Sequence, residues 1–181
     1  MAKRVFSSDL SIDGIEKLKK QLLDYKQSLN DKCKIFIQRL ADEGINVAKQ
    51  NVGSFGKYIT FSTNITSDVN GFHGIMYATN TGIITSQWIT KEGEQSADVS
   101  PLLMVEFGSG LRAQNPKNIP GVGTGTFPGQ THATDPNGWW YMELDGTWKH
   151  SYGITPQMPM YKASLEMHKK ITIIAREVFS N

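Results

Sequence analysis

A long run free of helix breakers constrains this chain more than any other feature. From Leu10 to Gln50 there is neither a proline nor a pair of glycines. Within it, apolar residues recur at Ile15, Leu18, Leu22, Tyr25, Leu29, Cys33, Phe36, Leu40 and Val47, at spacings of 3, 4, 3, 4, 4, 3, 4 and 7. That period places them on one face of an α-helix. Asp13, with Glu16 three residues later, predicts a capping-box start. Unbroken, the helix would reach about 60 Å, longer than the core of a small domain. A break is therefore expected at Ser28-Leu29-Asn30-Asp31, with Asn30 or Asp31 capping a second helix that Gly53 ends. The first piece, residues 1–28, then packs on the domain or projects from it.

After Gly53 the period changes. Residues 57–65 alternate and are rich in aromatic and β-branched side chains, as are 72–78 and 83–89. With turns at Asn70-Gly71 and Asn80-Thr81-Gly82, they read as an antiparallel meander of three strands. Pro101 to Glu106 is too short for periodicity to choose between helix and strand. Ala113 to Gly138 is patternless and rich in Gly, Pro, Asn and Thr, a long loop of the kind that often carries function. A hairpin is expected from Trp139–Leu144 and Thr147–Tyr152 across Asp145-Gly146, and a final helix from Met160 to Phe179. Its buried face is expected to carry Tyr161, Leu165, Ile171 or His168, Ile174 and Val178. The order predicts an α+β fold: an antiparallel β-sheet with a long N-terminal helical segment, a C-terminal helix and a long loop in between.

The 181 residues suit one domain, 1–181. A net charge of +2, from 19 basic and 17 acidic residues, argues against a dominant polyanionic partner. The single cysteine, Cys33, forbids an internal disulfide and suits a reducing compartment. It lies on the apolar helix face, where an inert core residue is expected. No signal-peptide core follows the basic start, and no apolar run approaches the roughly 18 residues of a membrane span. The chain is expected to be made and used in a cytoplasm, or built there into something larger.

Chemistry-bearing patterns are sparse. Gly121 to Gly129 resembles a phosphate-cradling loop only in its glycines: it has no lysine, no preceding strand, and Pro128 where a helix should start. His73, His132, His150 and His168 do not cluster as zinc ligands do, so no metal or cofactor is expected. There is no Gly-x-Ser-x-Gly elbow, and no constellation fills the roles of a catalytic site. Trp139, Trp140, Trp148, Tyr141 and Tyr152 lie close in sequence. On alternating strand faces, one of Trp139 and Trp140 should face the core and the other solvent or a partner. An exposed Trp-Tyr face suits stacking on sugars or nucleobases, or a protein interface, and buried indoles suit core packing.

One stretch points to a family. Met104-Val105-Glu106-Phe107-Gly108-Ser109-Gly110 resembles the V-E-F-G-T-G signature of the tail-completion, or head–tail joining, proteins of long-tailed bacteriophages. Gly153-Ile154-Thr155-Pro156-Gln157-Met158-Pro159-Met160-Tyr161-Lys162-Ala163 resembles the Pro-led stretch before that family's C-terminal helix, with Met160 and Lys162 departing from its usual Phe and Pro. The resemblance runs from about Ser28 onward. It implies a virion protein without catalytic activity, assembled in the host cytoplasm. It implies a ring of copies between the head connector or head-completion proteins and the tail terminator or tail-tube protein, with genome DNA passing through the lumen without sequence-specific binding. Glu106, Phe107, Gly108, Ser109, Gly110 and Leu111, with Trp139 and Trp140, are then expected as interface or loop-anchoring residues. For Glu106, a turn-anchoring hydrogen-bond acceptor or an interface charge is expected rather than a catalytic acid. For Phe107, packing beneath the turn competes with an interface role. The rival class is a carbohydrate- or peptide-binding module using the Trp139–Tyr152 hairpin.

Overall fold

The computed structural model describes residues 5–9, 11–69, 71–115 and 135–180. Most of the expected 113–138 loop, from 116 to 134, lies outside the described residues. The described chain is α+β. Helix α1 spans Ile12–Gln50, β1 Ile59–Asp68, β2 Gly71–Asn80, β3 Ile84–Thr90, β4 Gly93–Val99, α2 Pro101–Phe107, β5 Trp139–Met142, β6 Trp148–Ser151 and α3 Pro159–Phe179.

Helix α1 is continuous, which corrects the expected break at 28–31. Ser28, Asn30 and Asp31 cost only tenths of a kcal/mol each in a helix interior, roughly 0.5. Asp31 does not cap a new helix. Its carboxylate accepts a hydrogen bond from Gln27 one turn earlier, at 3.0 Å. The start also differs. Ser11, not Asp13, is the cap: its hydroxyl accepts from Gly14 N–H at 3.0 Å, while Asp9 accepts from Ser11 N–H at 3.2 Å and from the Ser11 hydroxyl. Those bonds hold the Asp9 carboxyl below its ordinary pKa.

The chain resolves into two compact units. One comprises Met1–Gly44, Thr63–Met76 and Leu165–Asn181, the other Ile45–Ser62 and Tyr77–Ser164. In the first, Ala41, Ile174 and Val178 are buried, Phe36 meets Phe179 at 6.0 Å, and Arg39 pairs with Glu177. Gly44 lies so close to the sulfurs of Met76 and Met167 that a Cβ would meet them at 2.9 and 2.7 Å. Cys33 is half-buried, not the core residue expected. On α3, Ala163, Ile174 and Val178 are buried, whereas Leu165 and Ile171 of the expected face are exposed.

In the second unit, Ala48, Val52, Ile59, Phe61, Val99, Met104, Val105 and Ala163 form the core. The expected three-stranded meander is corrected here. Strands β1 and β2 pair with each other, whereas β3 belongs to a separate antiparallel sheet of order β4-β3-β5-β6. The polar groups at the end of β2 and just beyond it explain the split. Thr81 N–H donates to the Tyr58 carbonyl at 2.8 Å, in the 3-10 helix Gly53–Tyr58. The Asn80 side chain donates to the Ser100 hydroxyl and accepts from Leu102 N–H, at 2.8 and 2.9 Å. The link is thus tied to α1's exit and to the start of α2, and β3 does not fold back on β2. Pro101 to Phe107 is a helix, with Ser100 as its N-cap and Pro101 in its first turn.

Candidate functional site: a laced turn beneath an aromatic face

Helix α2 ends in Val105-Glu106-Phe107-Gly108, and Gly108 adopts a φ of 71°, a conformation open to glycine. The stretch beyond it meets residues 154–161. The Val105 carbonyl accepts from Gln157 N–H at 2.8 Å and Met158 N–H at 3.1 Å. Ser109 N–H donates to the Ile154 carbonyl at 3.0 Å, and the Ser109 hydroxyl accepts from Ile154 N–H at 3.0 Å. Ser109 is 1% exposed. The two stretches that carry the family resemblance are therefore hydrogen-bonded to each other.

Glu106 occupies the centre of this lacing. An α-helix leaves its first N–H groups without intrahelical partners, and a cap residue usually supplies the acceptor. Helix α3 begins at Pro159, which has no N–H, after Met158, whose side chain has no oxygen. Glu106, reaching from α2, fills the gap. Its two carboxylate oxygens accept from Met160 N–H at 2.8 Å and Tyr161 N–H at 2.9 Å. The charge also faces the positive end of the helix dipole. Met158 itself has a φ of 55°, the one positive value for a non-glycine among the described residues. That strain is held by its N–H bond to Val105 and by the first turn, where Lys162 N–H donates to the Met158 carbonyl at 2.9 Å. Glu106 is buried, and this burial raises its pKa above the ordinary value; the N–H bonds of Met160 and Tyr161 and the charge of Lys162 pull the other way.

Trp139 and Trp140 part to opposite faces of the second sheet. The Trp139 ring lies over Gly110, where a Cβ would meet it at 2.7 Å, and is half-buried. Trp140 faces outward and is 65% exposed. Cross-strand partners share a face. Register pairs Trp140 with His150, Met142 with Trp148 and Ile89 with Met142. Trp148 is 60% and Tyr152 44% exposed. The His150 ring lies 4.6 Å from Trp140 and 4.7 Å from Tyr152, with its Nε2 2.7 Å from the Asn137 carbonyl oxygen. The Arg112 guanidinium stands 5.9 Å from the Tyr152 ring centre. The outcome is an open aromatic face on a sheet whose other side is pinned by Trp139 to the laced turn.

Of the remaining sequence-predicted residues, Phe107 is half-buried and Leu111 exposed, and neither joins the aromatic face in the contacts described. Sequence reasoning missed His150, whose place depends on cross-strand register, and Arg112, which reaches Tyr152 from the 3-10 helix Gly110–Arg112, far from it in sequence. It also missed Ser109 as the partner of Ile154, because the two are 45 residues apart. Among the described residues, no three His, Cys, Asp or Glu side chains converge in a metal-ligand arrangement. No helix of the described residues is long and apolar enough to cross a membrane. Comparison with protein families, with curated proteins and with solved structures finds no match to this chain.

Proposed function

We propose that this chain is a structural protein of a long-tailed bacteriophage virion. It joins the head connector to the tail tube as a ring of copies and performs no catalysis. Its partners are further copies of itself, the connector or head-completion proteins, and the tail terminator or tail-tube protein. Genome DNA passes through its lumen without sequence-specific contact. The observation that carries the reading is the lacing of Val105-Glu106-Phe107-Gly108-Ser109-Gly110 to Ile154–Tyr161. Two stretches that resemble one family's signatures form one hydrogen-bonded frame, and that frame presents an open face of Trp140, Trp148 and Tyr152. Exposed Trp and Tyr beside the half-buried Met142 and next to Arg is the composition of an interface core.

The test mixes the purified chain with tail-tube and connector proteins, followed by negative-stain electron microscopy and solution mass at high and low concentration. Rings or capped tails are expected. The double change Trp140→Ser with Trp148→Ser should abolish them while leaving the circular dichroism unchanged. A strict monomer that never joins tails or connectors would overturn the reading. Quenching of Trp140 and Trp148 fluorescence by an oligosaccharide would instead assign the face to a carbohydrate-binding module.

A further inference from the structure

The first half of α1 leaves its apolar face open. Ile15, Leu18, Leu22 and Leu23, with Lys19 and Lys26, line a shallow groove of about 380 Å³. Ile15, Leu22 and Leu23 are 52%, 47% and 57% exposed. Ahead of the helix, Phe6 packs edge-on against Tyr25 at 5.5 Å, which covers one flank of the stripe. A contiguous apolar face left in water marks a place for a partner.

Charge decides which partner fits. The groove is lined by two ammonium groups and no carboxylate. Lys19 and Lys26 are one heptad apart, roughly 10.5 Å along the axis. An antiparallel second copy seated here would set lysines against lysines, where like charges are costly, and a parallel one would face Lys19 and Lys26 with Gly14 and Gln21, so neither brings a carboxylate to them. An anionic bilayer favours a helix whose polar face is basic. The polar face of α1 is mixed, with exposed Asp13, Glu16, Asp24 and Asp31 among its lysines. We infer that the groove receives an amphipathic helix of another protein, with apolar residues at alternating spacings of three and four and carboxylates one heptad apart to meet Lys19 and Lys26. This docking uses neither the Trp140 face nor the head–tail assignment, so either can fail alone.

The test titrates the full chain into labelled synthetic helices of about three heptads, with Leu at the a and d positions and Glu at e and g, or Lys at e and g. Fluorescence anisotropy should show the Glu peptide binding at least about tenfold more tightly than the Lys peptide. Lys19→Glu with Lys26→Glu should reverse that preference. Both side chains are exposed, so this variant should keep the wild-type circular dichroism. Equal binding of the two peptides, or a preference unmoved by the double charge reversal, would overturn the inference. So would concentration-dependent self-association abolished by Leu22→Asp, which would assign the face to a second copy. Cosedimentation with phosphatidylcholine–phosphatidylglycerol vesicles that the charge reversal abolishes would assign it to lipid and overturn the inference equally.

Discussion

Glu106 does at a distance what a cap residue ordinarily does from within its own helix. Met158 precedes α3 without a side-chain oxygen to offer, and Pro159 brings no N–H, so the donors that Glu106 must satisfy begin at Met160 and Tyr161. Replacing Glu106 by Ala removes the carboxylate acceptor from both N–H groups in a buried site and opens a cavity. Urea unfolding should show a loss of about 2–4 kcal/mol, since a buried donor left without its partner costs about 1–3 kcal/mol. The pH dependence follows from the raised pKa, whose leading cause is burial. A carboxyl raised in the folded state gives its contribution in full below its unfolded value, ordinarily 4.5, and loses it as pH rises through the folded one. The stability of the wild type relative to Glu106→Gln should therefore fall as pH is raised from about 4 toward neutrality. A relative stability that rises over that window would mean that the two N–H bonds outweigh burial.

At the scale of elements, α1 separates two readings of one residue. If Asn30 were a cap, Asn30→Ala would cost about 1 kcal/mol. In the interior of an unbroken helix, the same change replaces a poor helix former by the best one and should stabilise by about 0.5 kcal/mol. Chemical denaturation reads the sign directly. The case also marks what the sequence could disclose. The 3-4 apolar spacing told of a helix, but whether it breaks rested on Asp31, whose carboxylate had an alternative partner in Gln27. Strands β1, β2 and β3 were legible from their alternation. β4 was not, because Gly93-Glu94-Gln95-Ser96-Ala97-Asp98-Val99 is polar, and only Val99 is buried. The pairing of β3 with β4 and β5 rather than β2 was hidden as well, since the Asn80 and Thr81 bonds that turn the chain away reach residues far along it. For the site, Glu106 was readable as an acceptor. Its donors, more than 50 residues away, were not.

For the molecule as a whole, 19 basic and 17 acidic residues leave little net field, so long-range attraction contributes little to assembly. The two proposed contact surfaces then differ in kind. The Trp140–Trp148 face is apolar, and contacts made by it should change less than about twofold in affinity when salt is raised from about 0.1 M to about 1 M. The α1 groove relies on Lys19 and Lys26, and its acidic peptide should be released over the same range, as the Debye length falls from about 10 Å to about 3 Å. Analytical ultracentrifugation for the first and anisotropy for the second check the contrast.

The laced turn has a consequence for how such a protein diversifies. A Cβ on Gly153 would run into the Ser109 carbonyl, and one on Gly110 into the Trp139 ring. Both glycines also have a positive φ, so each position accepts almost nothing else. Trp140 and Trp148, by contrast, stand in solvent on the opposite side of the same hairpin, and the frame beneath does not rest on their identity. Partner preference can drift through many generations at the outward positions while the inward ones stay frozen. Two descendants could then share the Glu-Phe-Gly turn and its proline-led helix with little else in common.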